Sequence, residues 1–151
     1  MPTQQTLEAI VLVVSSIRGI SGRRKLDSIM YLLQRLFISV PGLQLMEFIE
    51  VEGAPSCPQL EAILAEAAAQ GLIGLNCEVV SATMESAAAD QILPRVVQED
   101  VATIARTLKS YDEAVIAEAA QMAYARFQGK TWEKVRKNTR CAAALLDSIG
   151  L

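Results

Sequence analysis

Histidine is absent from the chain, which removes the commonest general base and the commonest nitrogen ligand for a metal. A nucleophile needs a base beside it, usually His and sometimes Lys. Cys–His and Ser–His pairs are therefore excluded, and no feature of the sequence marks a Ser–Lys pair. The three cysteines, Cys57, Cys77 and Cys141, lie far apart and form no CxxC. That spacing does not suit a zinc site, and it predicts free, buried thiols in a reducing cytoplasm. Carboxylates occur as Glu61 with Glu66, Glu99 with Asp100, and Asp112 with Glu113. Sequence neighbours do not face one another on a helix, and Asp112 and Glu113 fall in a first helical turn, where negative charge is favourable anyway. There is no Walker loop and no GxGxxG. Gly19, Gly22, Gly71 and Gly74 read as helix ends. The expectation is a chain with no catalytic residue, no cofactor and no metal, hence a binding protein and not an enzyme.

What remains for recognition is positive charge. One cluster is Arg18, Arg23, Arg24 and Lys25, with Arg35 further along the same helix. The other is Lys130, Lys134, Arg136, Lys137 and Arg140, with Trp132 beside it. Lys130, Lys134 and Lys137 share one helix face by their spacing. Such a stripe is either a solvated face or a contact for phosphate or for an acidic protein. Trp132 is either a packing anchor or a stacking platform. The candidates for contact with a partner or a nucleic acid are Arg18, Arg23, Arg24, Lys25, Arg35, Lys130, Trp132, Lys134 and Lys137.

The elements that would position these residues follow from apolar spacing. A helix is expected over 6–18 (Leu7, Ile10, Val11, Val14 inward) and a second over 23–38 (Leu26, Ile29, Met30, Leu33, Phe37). The three cations in the first turn of the second sit at the end where the helix dipole disfavours them. Pro41-Gly42 marks a turn and 46–51 a short strand, broken by Gly53-Ala54-Pro55. Ser56-Cys57-Pro58-Gln59 reads as a capping box for a helix to about Gln70, with Leu60, Ile63, Leu64, Ala67 and Ala68 inward and Gly71 ending it. Residues 72–80 fit one strand, and 81–93 a weak helix. Helices follow over 96–109 and, after a second capping box at Ser110–Glu113, to Phe127, with Val115, Ala119, Met122, Ala123 and Phe127 inside. The last helix is expected over 131–148.

The length, 151 residues, suits one compact unit with a full core. The apolar run 9–14 is far too short to span a bilayer, which takes ~20 residues. The start of the chain lacks the basic region of a signal peptide, so a cytoplasmic protein with no membrane contact is expected. Net charge is −3, but it is uneven. Residues 1–55 balance five bases against five acids, 56–128 hold four against ten, and 129–151 hold five against two. Ala-rich helix faces permit close packing, and a homodimer is expected from them.

Two stretches resemble a known group. Ile20-Ser21-Gly22-Arg23-Arg24-Lys25-Leu26-Asp27-Ser28-Ile29-Met30-Tyr31-Leu32-Leu33 is similar to the opening of the second helix in YwgA-like proteins and Panacea-domain (SocA-type) antitoxins. Val51-Glu52-Gly53-Ala54-Pro55-Ser56, followed by Leu60 and Gly71-Leu72-Ile73, resembles the "Y-G-P-Y-S … L … G-L-I" segment of the same group. A weaker likeness is the late helix with Ala119 to Tyr124. Glu52 stands where the group has a tyrosine, Ala54 interrupts its Gly-Pro pair, and Asp27 replaces a glutamine. The resemblance implies a mostly α fold with a minor β component: a winged-helix-like lobe over 1–80 and a helical extension over 81–151 packed on it. It also implies a non-enzymatic antitoxin, adaptor or regulator acting on a protein partner such as a toxin. The alternative is a winged-helix DNA-binding transcription regulator. The helix in the recognition position, 56–70, has no Lys or Arg but has Glu61 and Glu66, which disfavours major-groove reading.

Overall fold

The structure is a computed structural model that describes residues 4–18, 20–76, 79–82, 94–129 and 138–151. It is mostly helical. In chain order it runs α1 (Gln4–Ile17), β1 (Ile20–Ser21), α2 (Arg23–Leu36), α3 (Pro41–Gln44), β2 (Ile49–Val51), β3 (Ala54–Ser56), α4 (Leu60–Ala69), β4 (Ile73–Asn76), β5 (Val79–Ala82), α5 (Arg95–Lys109), α6 (Glu113–Phe127) and α7 (Thr139–Ile149). No helix among the described residues is long and apolar enough to cross a membrane.

Helix α1 is the axis of the core. Thr6 through Val11, with Val13, Val14 and Ile17, are buried, so it is apolar nearly all round, the pattern of a fully enclosed helix. It packs against α5 on one side and against α3, α4 and β5 elsewhere. Gly42 sets the approach of α3 to α1: a Cβ there would lie 2.1 Å from the Gln5 carbonyl oxygen. Helix α2 packs on α6, and α6 on α7. The expected inward residues of α2 and α4 are buried or half-buried. Phe127 departs from expectation: it ends α6 half-exposed.

Two antiparallel sheets complete the fold. The first has the order β1-β5-β4, with Ile20 opposite Val80 and Leu75 opposite Val80 on its other side. The single strand expected over 72–80 is therefore the two arms of a hairpin, and 81–82 belong to its second arm, not to a helix. The second sheet is the β2–β3 hairpin, with Val51 opposite Ala54, Glu50 opposite Pro55 and Ile49 opposite Ser56. Gly53-Ala54-Pro55 does not break the strand. Glu52 (φ 53°) and Gly53 (φ 82°) both adopt positive φ, as a two-residue type I′ turn requires, and the chain reverses there. Pro55 is tolerated because in a two-residue hairpin the pair next to the closing one is not hydrogen-bonded, so no ladder donor is lost.

Helix ends are met by long side chains from neighbouring helices. Gln34 Nε2 donates to the Leu43 and Met46 carbonyls at 2.8 and 2.6 Å, while Gln44 Nε2 donates back to Gln34 O and Phe37 O at the end of α2. Lys25 Nζ donates to Lys109 O at 2.9 Å, and Lys109 Nζ to Ile17 O at 2.6 Å. These bonds satisfy orphan carbonyls of α2, α5 and α1 and bring positive charge to helix C-termini. Glu118, buried in α6, accepts from Thr139 Oγ1 at 2.8 Å at the start of α7.

Neither expected capping box forms. Asp112 occupies the N-cap position of α6 without a side-chain cap bond, and Ser110 Oγ donates to Thr107 O instead. Helix α4 starts at Leu60 behind Gln59. Ser56 Oγ and the Cys57 N–H both turn to Asp27, and Gln59 Oε1 accepts from Glu47 N–H at 3.1 Å. A tertiary carboxylate has displaced the local cap. Residues 83–93 of the helix expected over 81–93 and residues 131–137 of that expected over 131–148 lie outside the described residues; α7 begins at Thr139.

Candidate functional site

The members of the first basic cluster meet different partners. Arg18 is exposed and ends α1 at φ 58°, the left-handed cap conformation more often given to Gly or Asn. Arg24 pairs with Glu52 of the hairpin turn at 3.3 Å, both well exposed. Lys25 is half-buried on the α5 C-terminus, as described above, which accounts for a lysine at the unfavourable end of its own helix. Arg23 is half-buried, and its Nη1 has no hydrogen-bond partner among the described residues. Arg35 is held by rings. Its guanidinium carbon lies 4.3 Å from the Phe127 ring centre and 5.3 Å from that of Tyr31, and Nε donates to Tyr31 Oη at 3.1 Å. Tyr31 is itself buried, with Phe48 edge-on at 5.2 Å and Tyr124 at 5.6 Å. Burial pushes its phenol pKa above the usual value against the opposing pull of Arg35.

Lys130, Trp132, Lys134, Arg136 and Lys137 lie outside the described residues, as do Gly19 and Cys77. Arg140 is exposed at the start of α7. Cys57 is buried and free, but Cys141 is free and exposed, contrary to expectation: it falls in the first turn of α7 at the margin of the buried stripe of Ala142, Leu145 and Leu146. Among the described residues no three His, Cys, Asp or Glu side chains are grouped to hold a metal ion.

The structure instead brings together α2, α6 and the β2–β3 hairpin around a cleft of about 120 Å³ lined by Arg24, Asp27, Val51, Glu52, Ser56 and Gln121, among others. Asp27 reaches it from the first half of α2. One carboxylate oxygen accepts the Cys57 N–H at 3.3 Å and the other the Ser56 hydroxyl at 3.4 Å. Burial raises the Asp27 pKa above its ordinary 3.8, outweighing those two bonds and the field of Arg23. The Cys57 thiol is raised as well, chiefly by burial, with the Asp27 charge adding to it.

Sequence reasoning overlooked an absence. From residue 36 to residue 94 there is no Lys or Arg, while eight carboxylates fall in that span. Within it, Glu47, Glu50, Glu52 and Glu61 are exposed and Glu66 is half-buried. Among the described residues only Glu52 has a cation within ion-pair distance. Dividing the charge at residues 55 and 128 hid this stretch, because Arg18 to Arg35 balance it on one side and Arg95 onward on the other. The hairpin and α4 thus form a continuous acidic segment. No family model, no curated protein and no solved structure matches this chain.

Proposed function

We propose that this protein is a non-enzymatic regulator that works by binding another protein, in the manner of an antitoxin or adaptor. The order α1-β1-α2-α4-β4-β5, interrupted between α2 and α4 by α3 and the β2–β3 hairpin and with β1 paired to β5, supports a winged-helix-like lobe over 1–80. It agrees with the likeness to YwgA-like and Panacea-domain proteins. In such a lobe α4 holds the recognition position. The observation that carries the reading is what α4 presents outward: Glu61, Ala62, Ala65, Ala69 and Gln70 are exposed, and Gln70 is bonded to Glu66. Phosphate repels such a face, because duplex affinity comes largely from Lys and Arg. Small residues beside carboxylates suit the close approach of a protein surface.

Two measurements test this. Fluorescence anisotropy with duplex DNA at low and moderate salt is expected to show no binding. Salt-steep binding lost in Arg18→Ala/Arg24→Ala would overturn the proposal in favour of a DNA-binding regulator. A photo-crosslinking residue at Ala65, in cells that naturally express the protein, is expected to trap one discrete protein adduct. Adducts to nucleic acid alone would count against it.

A further inference from the structure

Strand β2 has one edge paired with β3 and, among the described residues, no strand on the other. All three of its residues are exposed. In the register observed, Val51–Ala54 closes the hairpin and Ile49–Ser56 is the next hydrogen-bonded pair, so the Glu50 N–H and C=O point away from β3. Ile49 and Val51, 51% and 47% exposed, share one side of the strand. An open edge of this kind is a template for another strand, and native edges are commonly blunted by Lys or Pro. This one carries neither. It contains Glu50 and is flanked by Glu47 and Glu52, inside the cation-free span 36–94. The cleft beside Val51 adds Asp27 and Glu52 against Arg24, which Glu52 already holds.

We infer that the open edge of β2 receives an extended, cationic segment of the partner protein, which adds to the hairpin as a third strand. Backbone bonds to Glu50 supply the register. Apolar residues of the incoming strand cover Ile49 and Val51, and Lys or Arg at the alternate positions meet Glu50 and Glu52 on the other side of the strand. Carboxylates on this strand repel an acidic peptide and a phosphate backbone alike, which sets the sign of the partner. The inference rests on the protein-binding reading above and adds the place and the chemistry.

The probe is a fluorescein-labelled hexapeptide alternating arginine and valine, titrated onto the full chain. Binding is expected, weakened by raising salt from about 50 to about 300 mM. It is expected to be absent for a glutamate–valine peptide and for the arginine–valine peptide N-methylated at alternate backbone nitrogens. Glu50→Pro removes an outward N–H opposite Pro55 and leaves the hairpin ladder intact; it should weaken binding by about tenfold or more. Glu50→Gln removes only charge and should weaken it less. Should Glu50→Pro fail to fold by circular dichroism, the N-methylated peptide on the wild-type protein decides. Equal binding of the N-methylated peptide, or no binding of the arginine–valine peptide at low salt, overturns the inference. A protein adduct at Ala65 unchanged by Glu50→Pro would sink this inference alone, whereas tight duplex binding would sink the reading beneath it as well.

Discussion

The Asp27 carboxylate on α2 accepts the backbone N–H of Cys57, thirty residues away in the chain, and so fastens the exit of the β2–β3 hairpin to the helix beneath it. Buried carboxylates tied to backbone donors act as tertiary caps. Losing this one leaves the Cys57 N–H and the Ser56 hydroxyl without their acceptor. Asp27→Ala is expected to cost about 1–2 kcal/mol, measured as a shift of the urea midpoint at unchanged slope. Asp27→Asn keeps an acceptor and should cost less than about 1 kcal/mol. Equal losses for both would mean that the charge, not the acceptor, holds the hairpin.

The same residue gives a pH signature. Its folded pKa is raised above 3.8 by burial, so between 3.8 and the folded value the native state binds the proton that the unfolded chain has lost. The Asp27 contribution to stability therefore falls as pH rises through that window and is least favourable above it. Comparing wild type with Asp27→Asn across pH 4 to 7, the variant is expected to gain relative stability as pH rises. A difference independent of pH would contradict the assignment.

Gly42 has no room for a methyl group, since a Cβ there would press into the Gln5 carbonyl and the Ala9 side chain. Both obstacles belong to α1, and the nearer one is backbone, not the far end of a flexible side chain. Gly42→Ala is expected to destabilise the fold by about 3 kcal/mol or more, read as a large drop in thermal midpoint. A shift within error would show that α3 sits farther from α1.

Lys109 ties three helices, donating to the end of α1 while its own carbonyl accepts from Lys25. Lys109→Met keeps the aliphatic stem but not the ammonium, and leaves the Ile17 carbonyl without its charged donor. A loss of about 1.5–3 kcal/mol is expected. If the Lys25→Met cost is the same in wild type and in Lys109→Met, the two lysines act separately, and non-additivity would show that they share one arrangement.

Arg35 between the Tyr31 and Phe127 rings is a planar cation on two faces. Arg35→Lys retains the charge but not the plane or the Nε bond to Tyr31, and should cost about 0.5–1 kcal/mol. Phe127→Leu should lower that penalty, and a penalty unaffected by Phe127→Leu would place the stabilisation elsewhere.

Much of the helical plan could be read from spacing. Leu26, Ile29, Met30 and Leu33 recur at helical intervals, and that period directs them to one core face. The hairpin was harder. Two three-residue strands are too short for a period of two to show, and the turn signal Glu52-Gly53 was masked by Pro55, which looks like a breaker until the register shows its nitrogen facing away from the ladder. Capping boxes misled because Ser56 and Cys57 had a nonlocal competitor in Asp27. The cations were visible, but their tasks were not: that Lys25 serves the end of α5 and Arg35 a pair of rings depends on contacts 84 and 92 residues apart in the chain, for Lys25 and Arg35 respectively.

The enclosure of α1 bears on how the chain can be divided. One flank of that helix is covered by α5 from the C-terminal half, the others by α3, α4 and β5. A fragment ending before α5 would open that flank to water and offer apolar surface to any neighbouring molecule. A division of the chain between β5 and α5 would thus cut across packed core. The two halves should unfold in a single transition, and a cut between β5 and α5 would leave a nicked but assembled protein rather than two separable pieces.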